Sequence, residues 1–289
     1  MCNSNVVTTL LFLFLALPIS TTFAGEKIRT GALSGHVTHG SYSGSDLREG
    51  ILSETFNLSY IPTFEYGMGL KIGNSQLKRK QSLPDIHGNS FAGTAFFTPK
   101  RGNSSFFGGT VSLLSVQSDD SNSDNTLIPY LSLIYKSPDF RTYIDLGYAH
   151  TGYNDTTANQ ITLTGGFSIF KDWVWSHARV YHIDLSETVQ RKNNTFAFEE
   201  RLIYYVLPGK ANLSLYGMVG QRIYAYDPDL HASYNLSDIQ SGSAGVSANY
   251  NLSKRVSLYG DATYELYNNN DRADRYNVIY STAGASVTF

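Results

Sequence analysis

From residue 31 onward, nearly every segment between polar clusters places apolar side chains at every second position. That period places them on one face of an extended strand and does not fit a helix. The clearest run is Phe64, Tyr66, Met68, Leu70 and Ile72, with Glu65, Gly67, Gly69 and Lys71 between them. The same alternation appears at Phe56, Leu58, Tyr60; at Leu127, Leu131, Leu133, Tyr135; at Ile161, Leu163, Phe167, Ile169; and at Val256, Leu258, Ala262, Tyr264.

The breaks between these runs carry the next constraint. Short ones (61–63, 98–103, 136–139, 170–172, 207–210, 251–254) alternate with longer polar ones (40–50, 74–85, 117–125, 151–159, 185–194, 224–239, 267–275). This division predicts an all-β chain of about 14 antiparallel strands (12 to 14), each of roughly 9 to 12 residues, closed as a transmembrane up-and-down β-barrel. An immunoglobulin-like sandwich has shorter strands and no one-sided segregation of loop length. A propeller blade would need four strands where there is room for two. Mean hydropathy is only −0.21, as expected when lumen-facing residues dilute lipid-facing ones. The 21 tyrosines suit interfacial aromatics on a barrel. A net charge of −2 supplies no basic excess for nucleic acid.

The N-terminal apolar run Val6–Ile19, followed by Thr22-Phe23-Ala24, reads as a cleaved secretory signal peptide over 1–24. The barrel is then expected over 25–289. Cys2 lies inside the leader, so the mature chain has no thiol for a disulfide, a nucleophile or a metal.

If the apolar parity faces lipid, the other parity faces the lumen. It carries Glu65, Lys71, Arg141, Tyr143, Asp145, His177, Arg179, Glu199, Arg201, Tyr216, Arg222, Tyr259, Asp261 and Glu265, together with His36 and the tyrosines Tyr130, Tyr205 and Tyr280. Arg or Lys near the bilayer midplane costs about 2 to 4 kcal/mol on the lipid face, so this segregation itself favours a barrel. Five acidic and five basic strand residues predict weak charge selectivity. Opposite charges at Arg141 and Asp145, and at Glu199 and Arg201, suit structural pairs and solute contacts equally. Glu200 breaks the pattern, sharing parity with Phe196, Phe198, Leu202 and Tyr204; a bulge or a shifted register would account for it. Segments 74–85 and 224–239, the longest and charge- or aromatic-bearing, are the expected recognition or plug loops.

The last strand alternates Ile279, Ala283, Ala285, Val287 and ends on Phe289. In this the chain resembles bacterial outer-membrane barrels of the porin-like kind, whose terminal aromatic is read by the barrel-assembly machinery. The resemblance implies an outer-membrane location, with lipid and lipopolysaccharide as surroundings. The strand bearing Trp173, Trp175, Arg179 and Tyr181, with the closing Ser-Leu-Tyr-Gly (257–260) and Val-Thr-Phe (287–289), also resembles YaiO-type outer-membrane proteins. That likeness implies a role near surface polysaccharide.

Catalytic patterns are sparse. The seven histidines include no His-x-x-x-His pair, and there is no Gly-x-Ser-x-Gly elbow. His39-Gly40-Ser41 matches only a fragment of the outer-membrane phospholipase motif, and Asp119-Asp120 sits in a loop-like Ser/Asn/Asp tract. Lys78-Arg79-Lys80 reads as an exposed basic run. The expectation is therefore a channel, not an enzyme, without cofactor or metal, passing or exporting small polar or saccharide solutes. A non-conducting surface or envelope-assembly barrel is the alternative, and an outer-membrane hydrolase the third.

Overall fold

A computed structural model describes residues 30–63, 65–101, 105–170, 172–233 and 237–289; the expected leader lies outside the described residues. Fourteen long strands form one closed antiparallel sheet. They are β1 (Thr30–Ser43), β2 (Arg48–Thr63), β3 (Tyr66–Arg79), β4 (Ile86–Phe97), β5 (Ser105–Ser118), β6 (Thr126–Lys136), β7 (Thr142–Gly152), β8 (Thr157–Ile169), β9 (Val174–Val189), β10 (Lys192–Leu207), β11 (Ala211–Arg222), β12 (Ile239–Asn251), β13 (Val256–Asn269) and β14 (Asp274–Thr288). Each pairs with its neighbours in sequence, and β1 pairs with β14 from Ala32↔Thr288 to Ser43↔Asn277. At the seam Gly31 and Phe289 exchange two backbone hydrogen bonds of 2.9 and 2.8 Å. A Cβ on Gly31 would strike the Phe289 ring at 2.4 Å, so the terminal aromatic needs a glycine beneath it.

Closure satisfies every strand without an edge, which a lipid environment demands. The parity expected from the sequence holds on both faces. Tyr66, Met68, Leu70 and Ile72 are all exposed on the outside while Gly67 and Gly69 between them are buried. Tyr60, Tyr66, Phe97, Phe107, Trp173, Tyr204 and Tyr250 stand outward near the end that holds both termini, as an interfacial girdle does. That end is the periplasmic one by the rule of short turns.

Two expectations fail. Strands run 11 to 16 residues, not 9 to 12, and most of the expected long loops are sheet. The segment 185–194 contracts to a two-residue turn at Gln190 and Arg191, both with positive φ (49° and 64°). This is the sign pattern of a type I′ hairpin, whose twist matches its strands. Half of the 74–85 loop likewise becomes strand, because β3 continues to Arg79. Polar residues there mark where the strands leave the hydrocarbon, not where the sheet stops. Among the described residues, the connection that leaves β11 at Ile223 is the longest that remains.

Leu131, mid-strand on β6 and 59% exposed, tests the lipid face. Leu131→Arg should lower unfolding stability by about 2 to 4 kcal/mol in denaturant titration of the refolded barrel. Ser121→Arg, in the exposed β5–β6 turn, should change it by less than about 0.5 kcal/mol.

Candidate functional site

Residues 223–233 do not extend outward; they fold into the bore. The departure begins at Gly220, where φ is +103° and a Cβ would meet the Phe196 carbonyl oxygen at 2.5 Å. Glycine is required at such a position, and the β11–β12 register shifts beside it, between Val219 and Arg222. The connection then forms a small hairpin, Tyr226–Asp227 against Ala232–Ser233. Asp227 Oδ1 accepts the backbone N–H groups of Asp229 (2.8 Å) and Leu230 (3.0 Å) and so shapes its tip.

The hairpin reaches across to the opposite wall. Gln160 on β8 pairs with Tyr226 as a neighbouring strand would, donating to its carbonyl (2.7 Å) and accepting its N–H (3.0 Å). The Tyr226 ring joins a buried apolar cluster of Ala92, Leu114, Val116, Ile128, Tyr130 and Ala149 from β4 to β7. The Tyr226 hydroxyl donates to Ser112 Oγ (3.2 Å) and lies 2.8 Å from His231 Nδ1. Lys71 Nζ on β3 donates to the carbonyls of Leu230 and His231. On β9, Arg179 Nη2 donates to Asp229 at 2.7 Å and Nη1 lies 3.8 Å from Asp227.

The hairpin's roots are fixed as well. Ile223, Tyr224, Ala225 and Ile239 pack with Tyr153, Ala158, Ile183 and Leu185. Asp238 accepts hydrogen bonds from Arg48, Tyr276, Asn269 and Arg272 at the outer rim.

Most of the expected lumen residues do face the bore, but two do not. Glu65 is in the β2–β3 turn, where it accepts the Lys100 N–H at 3.2 Å. Arg141 is in the β6–β7 turn and pairs with Asp172 at 2.9 Å in an exposed position, not with Asp145. Both parities were extrapolated past the end of the strand. Asp145 is instead held by the hydroxyls of Tyr130, Ser132 and Tyr143 (3.4, 3.1 and 2.8 Å). Glu199 pairs with Arg222 (3.4 Å), not with Arg201, because Arg222 approaches it from the next strand. Arg201 lies instead over the Tyr216 ring at 4.8 Å.

Tyr216 donates to Asp261, and Tyr267 donates to Glu265 at 2.6 Å. Tyr143 stacks near His177, and His36 on Tyr259 at 5.4 Å. With Glu65 and Arg141 removed, four acidic and four basic lumen residues remain. The hairpin adds Asp227 and Asp229, and Lys136 shares the inward parity of Tyr130, Ser132 and Ile134, making six acidic against five basic.

The sequence reading missed Gln160, Ser112, Asp227, Asp229 and His231. A signal for their landing place is present: Leu113-Leu114 and Leu127-Ile128 put apolar side chains on both faces of β5 and β6. A strand apolar on both faces has something covering its inner side. Among the described residues no group of three or more His, Cys, Asp or Glu side chains converges as metal ligands would.

No protein-family model matches the chain, and no curated protein matches it in sequence. Solved structures do match in shape. The toluene transporter TodX of Pseudomonas putida aligns at a TM-score of 0.56 and 11% identity, over 96% of this chain and 94% of that one. A bacterial polysaccharide outer-membrane secretin aligns at 0.53 and 11%, over 90% and 98%. A Pseudomonas aeruginosa FadL homologue aligns at 0.51 and 11%, over 94% and 92%. At this identity the likeness is one of fold: the chain is a transmembrane β-barrel of the bacterial outer-membrane type.

Two predictions address the hairpin. Asp229→Ala leaves the Arg179 guanidinium buried with only the more distant Asp227 carboxylate, and should cost about 1.5 to 3 kcal/mol in denaturant unfolding.

The second concerns pH. Burial, then the Lys71 charge, lowers His231 from 6.5 to about 4. For Asp229, burial acts upward but Arg179 and His177 outweigh it and hold the carboxyl below its usual 3.8. An undocked hairpin therefore binds protons that the docked one refuses, first at His231 between pH 6.5 and 4, then at Asp229 below 3.8. Docking weakens as pH falls through these windows. Spin labels at Leu230 and Ser121 should give one distance at pH 7.5 and a broadened distribution at pH 4.5. His231→Asn should flatten that response.

Proposed function

We propose that the barrel is an outer-membrane channel for small polar solutes, narrowed by its own inward-folded hairpin. The observation that carries this is the hairpin's span from β11 and β12 to β5 on the opposite wall, with further contacts on β3 and β8 to either side. Wall and hairpin at that level carry charged and hydroxyl groups, which favours small hydrated solutes over apolar ones. The two additional carboxylates, Asp227 and Asp229, favour cations and neutral solutes over anions. Saccharides remain the finer assignment: Tyr143, Tyr216 and Tyr259 offer flat faces, although the Tyr143 and Tyr216 hydroxyls already bond to carboxylates.

We further assign the chain no enzymatic role, and we take lipid, lipopolysaccharide and, through Phe289, the assembly machinery as its partners. A second reading, a non-conducting scaffold, is favoured by the number of walls to which the hairpin is fastened.

Planar-bilayer conductance separates the two readings. The refolded barrel should give small discrete steps. Replacing residues 225–234 by a short Gly/Ser linker should raise the step size several-fold with the barrel still folded. Silence from both proteins would overturn the channel and leave the scaffold.

A further inference from the structure

Glu200 breaks the apolar parity of its strand in the sequence, and the sheet leaves it on the outer face. Pairing with β9 is continuous from Val174↔Tyr204 to Asp184↔Asn194, and pairing with β11 from Ala197↔Gly220 to Tyr204↔Leu213. Neither a bulge nor a shifted register is present around Glu200, so it points outward with Phe198 and Leu202 on either side. It lies mid-strand, within the hydrocarbon band. Ser176 Oγ, on the same outer face, donates to its carboxylate at 2.7 Å.

The row across the sheet at this level is unusual. Cross-strand partners run Gly165, Ala178, Glu200, Gly217, Ala244 over β8 to β12. Four small residues thus flank one carboxyl. A Cβ built on Gly165 meets nothing within 4 Å, so the outer surface there is open. The rows on either side are large and exposed, with Phe198 and Val219 above and Leu202 and Leu215 below. The result is a shallow trench with an acid at its centre, facing acyl chains that offer no hydrogen bond.

We propose that this trench is a homodimer contact, in which two barrels meet on a two-fold axis along the membrane normal. Each Glu200 then lies against its counterpart as a proton-sharing carboxyl pair. A neutral carboxyl is donor and acceptor at once, so the group is self-complementary, as an isologous interface requires. Small residues on both sides let the two sheets approach, and polar groups across such a contact act as glue in lipid. Five strands at about 4.8 Å spacing over a band about 25 Å tall give roughly 500 Å² per barrel and roughly 1,000 Å² in all, enough for a specific contact.

The test uses the full chain on a Cys2→Ser background, in outer-membrane vesicles. Ala178→Cys, in the trench, should yield a cross-linked dimer with a short bis-maleimide. Met68→Cys, equally outward but on β3, should not. In detergent, Glu200→Leu should reduce dimer association about tenfold or more, while the unheated band still runs as a folded barrel. Glu200→Gln, which keeps a donor and an acceptor, should remain dimeric. The proposal is overturned by equal cross-linking at Met68→Cys, by a heterologous product at Ala178→Cys, or by a dimer indifferent to Glu200→Leu. A lone acid facing lipid gives no cross-link at either site and overturns it too.

Discussion

Everything in this molecule depends on the hydrogen-bond seam between its first and last strands. A fourteen-stranded sheet with one open edge would expose a row of unpaired N–H and C=O groups to hydrocarbon, each costing several kcal/mol. Pairing from Ala32↔Thr288 to Ser43↔Asn277 removes that edge, and Gly31 with Phe289 extends it to the terminus. Once the sheet is closed, each strand acquires an inside and an outside. The period-two sequence then becomes a segregation of apolar from polar surface.

Closure also creates a problem that the chain solves internally. The bore of a barrel this size is too wide for wall side chains alone to fill and narrower than that of the large porins. Here the space is taken by a connection that would otherwise be an external loop. Gly220 releases the chain from β11, Gln160 receives it as a surrogate strand, and Tyr226 anchors it in an apolar patch. Arg179 and Lys71 fix its tip by charge and by hydrogen bonds to its carbonyls. Burying the Arg179 charge is tolerable because Thr164, Tyr181 and two carboxylates surround it. The same arrangement makes the docked state sensitive to the protonation of His231 and Asp229.

How much of this was legible in the sequence follows from what each signal measures. Alternation measures which side of a sheet a residue faces, so Met68, Leu70, Arg179 and Glu265 were placed correctly. It does not show where a strand ends, and so Glu65 and Arg141 were carried into the lumen when they belong to turns. Polarity measures contact with water, and strand extensions beyond the membrane are as wet as loops; that is why the segments near 80 and 190 looked like loops. The direction taken by 223–233 depends on partners on β3, β5, β8 and β9, none of them near it in sequence. Only the doubly apolar faces of Leu113-Leu114 and Leu127-Ile128 hinted that something lay against the inner wall. Glu200 ran the other way: the sequence reading supplied a structural excuse, and the regular register removes it.

The central claim is that the hairpin crosses the bore and docks on the far wall. The most direct measurement is cross-linking of Ser112→Cys to His231→Cys in the folded barrel on a Cys2→Ser background, through a disulfide or a short bis-maleimide. In the structure Ser112 Oγ lies 3.3 Å from His231 Nδ1. The account predicts near-complete linkage at neutral pH and a locked, quiet bore that regains its conductance fluctuations when a disulfide is reduced. Two unlinked cysteines, with that at position 231 freely labelled from the outer face, would contradict it.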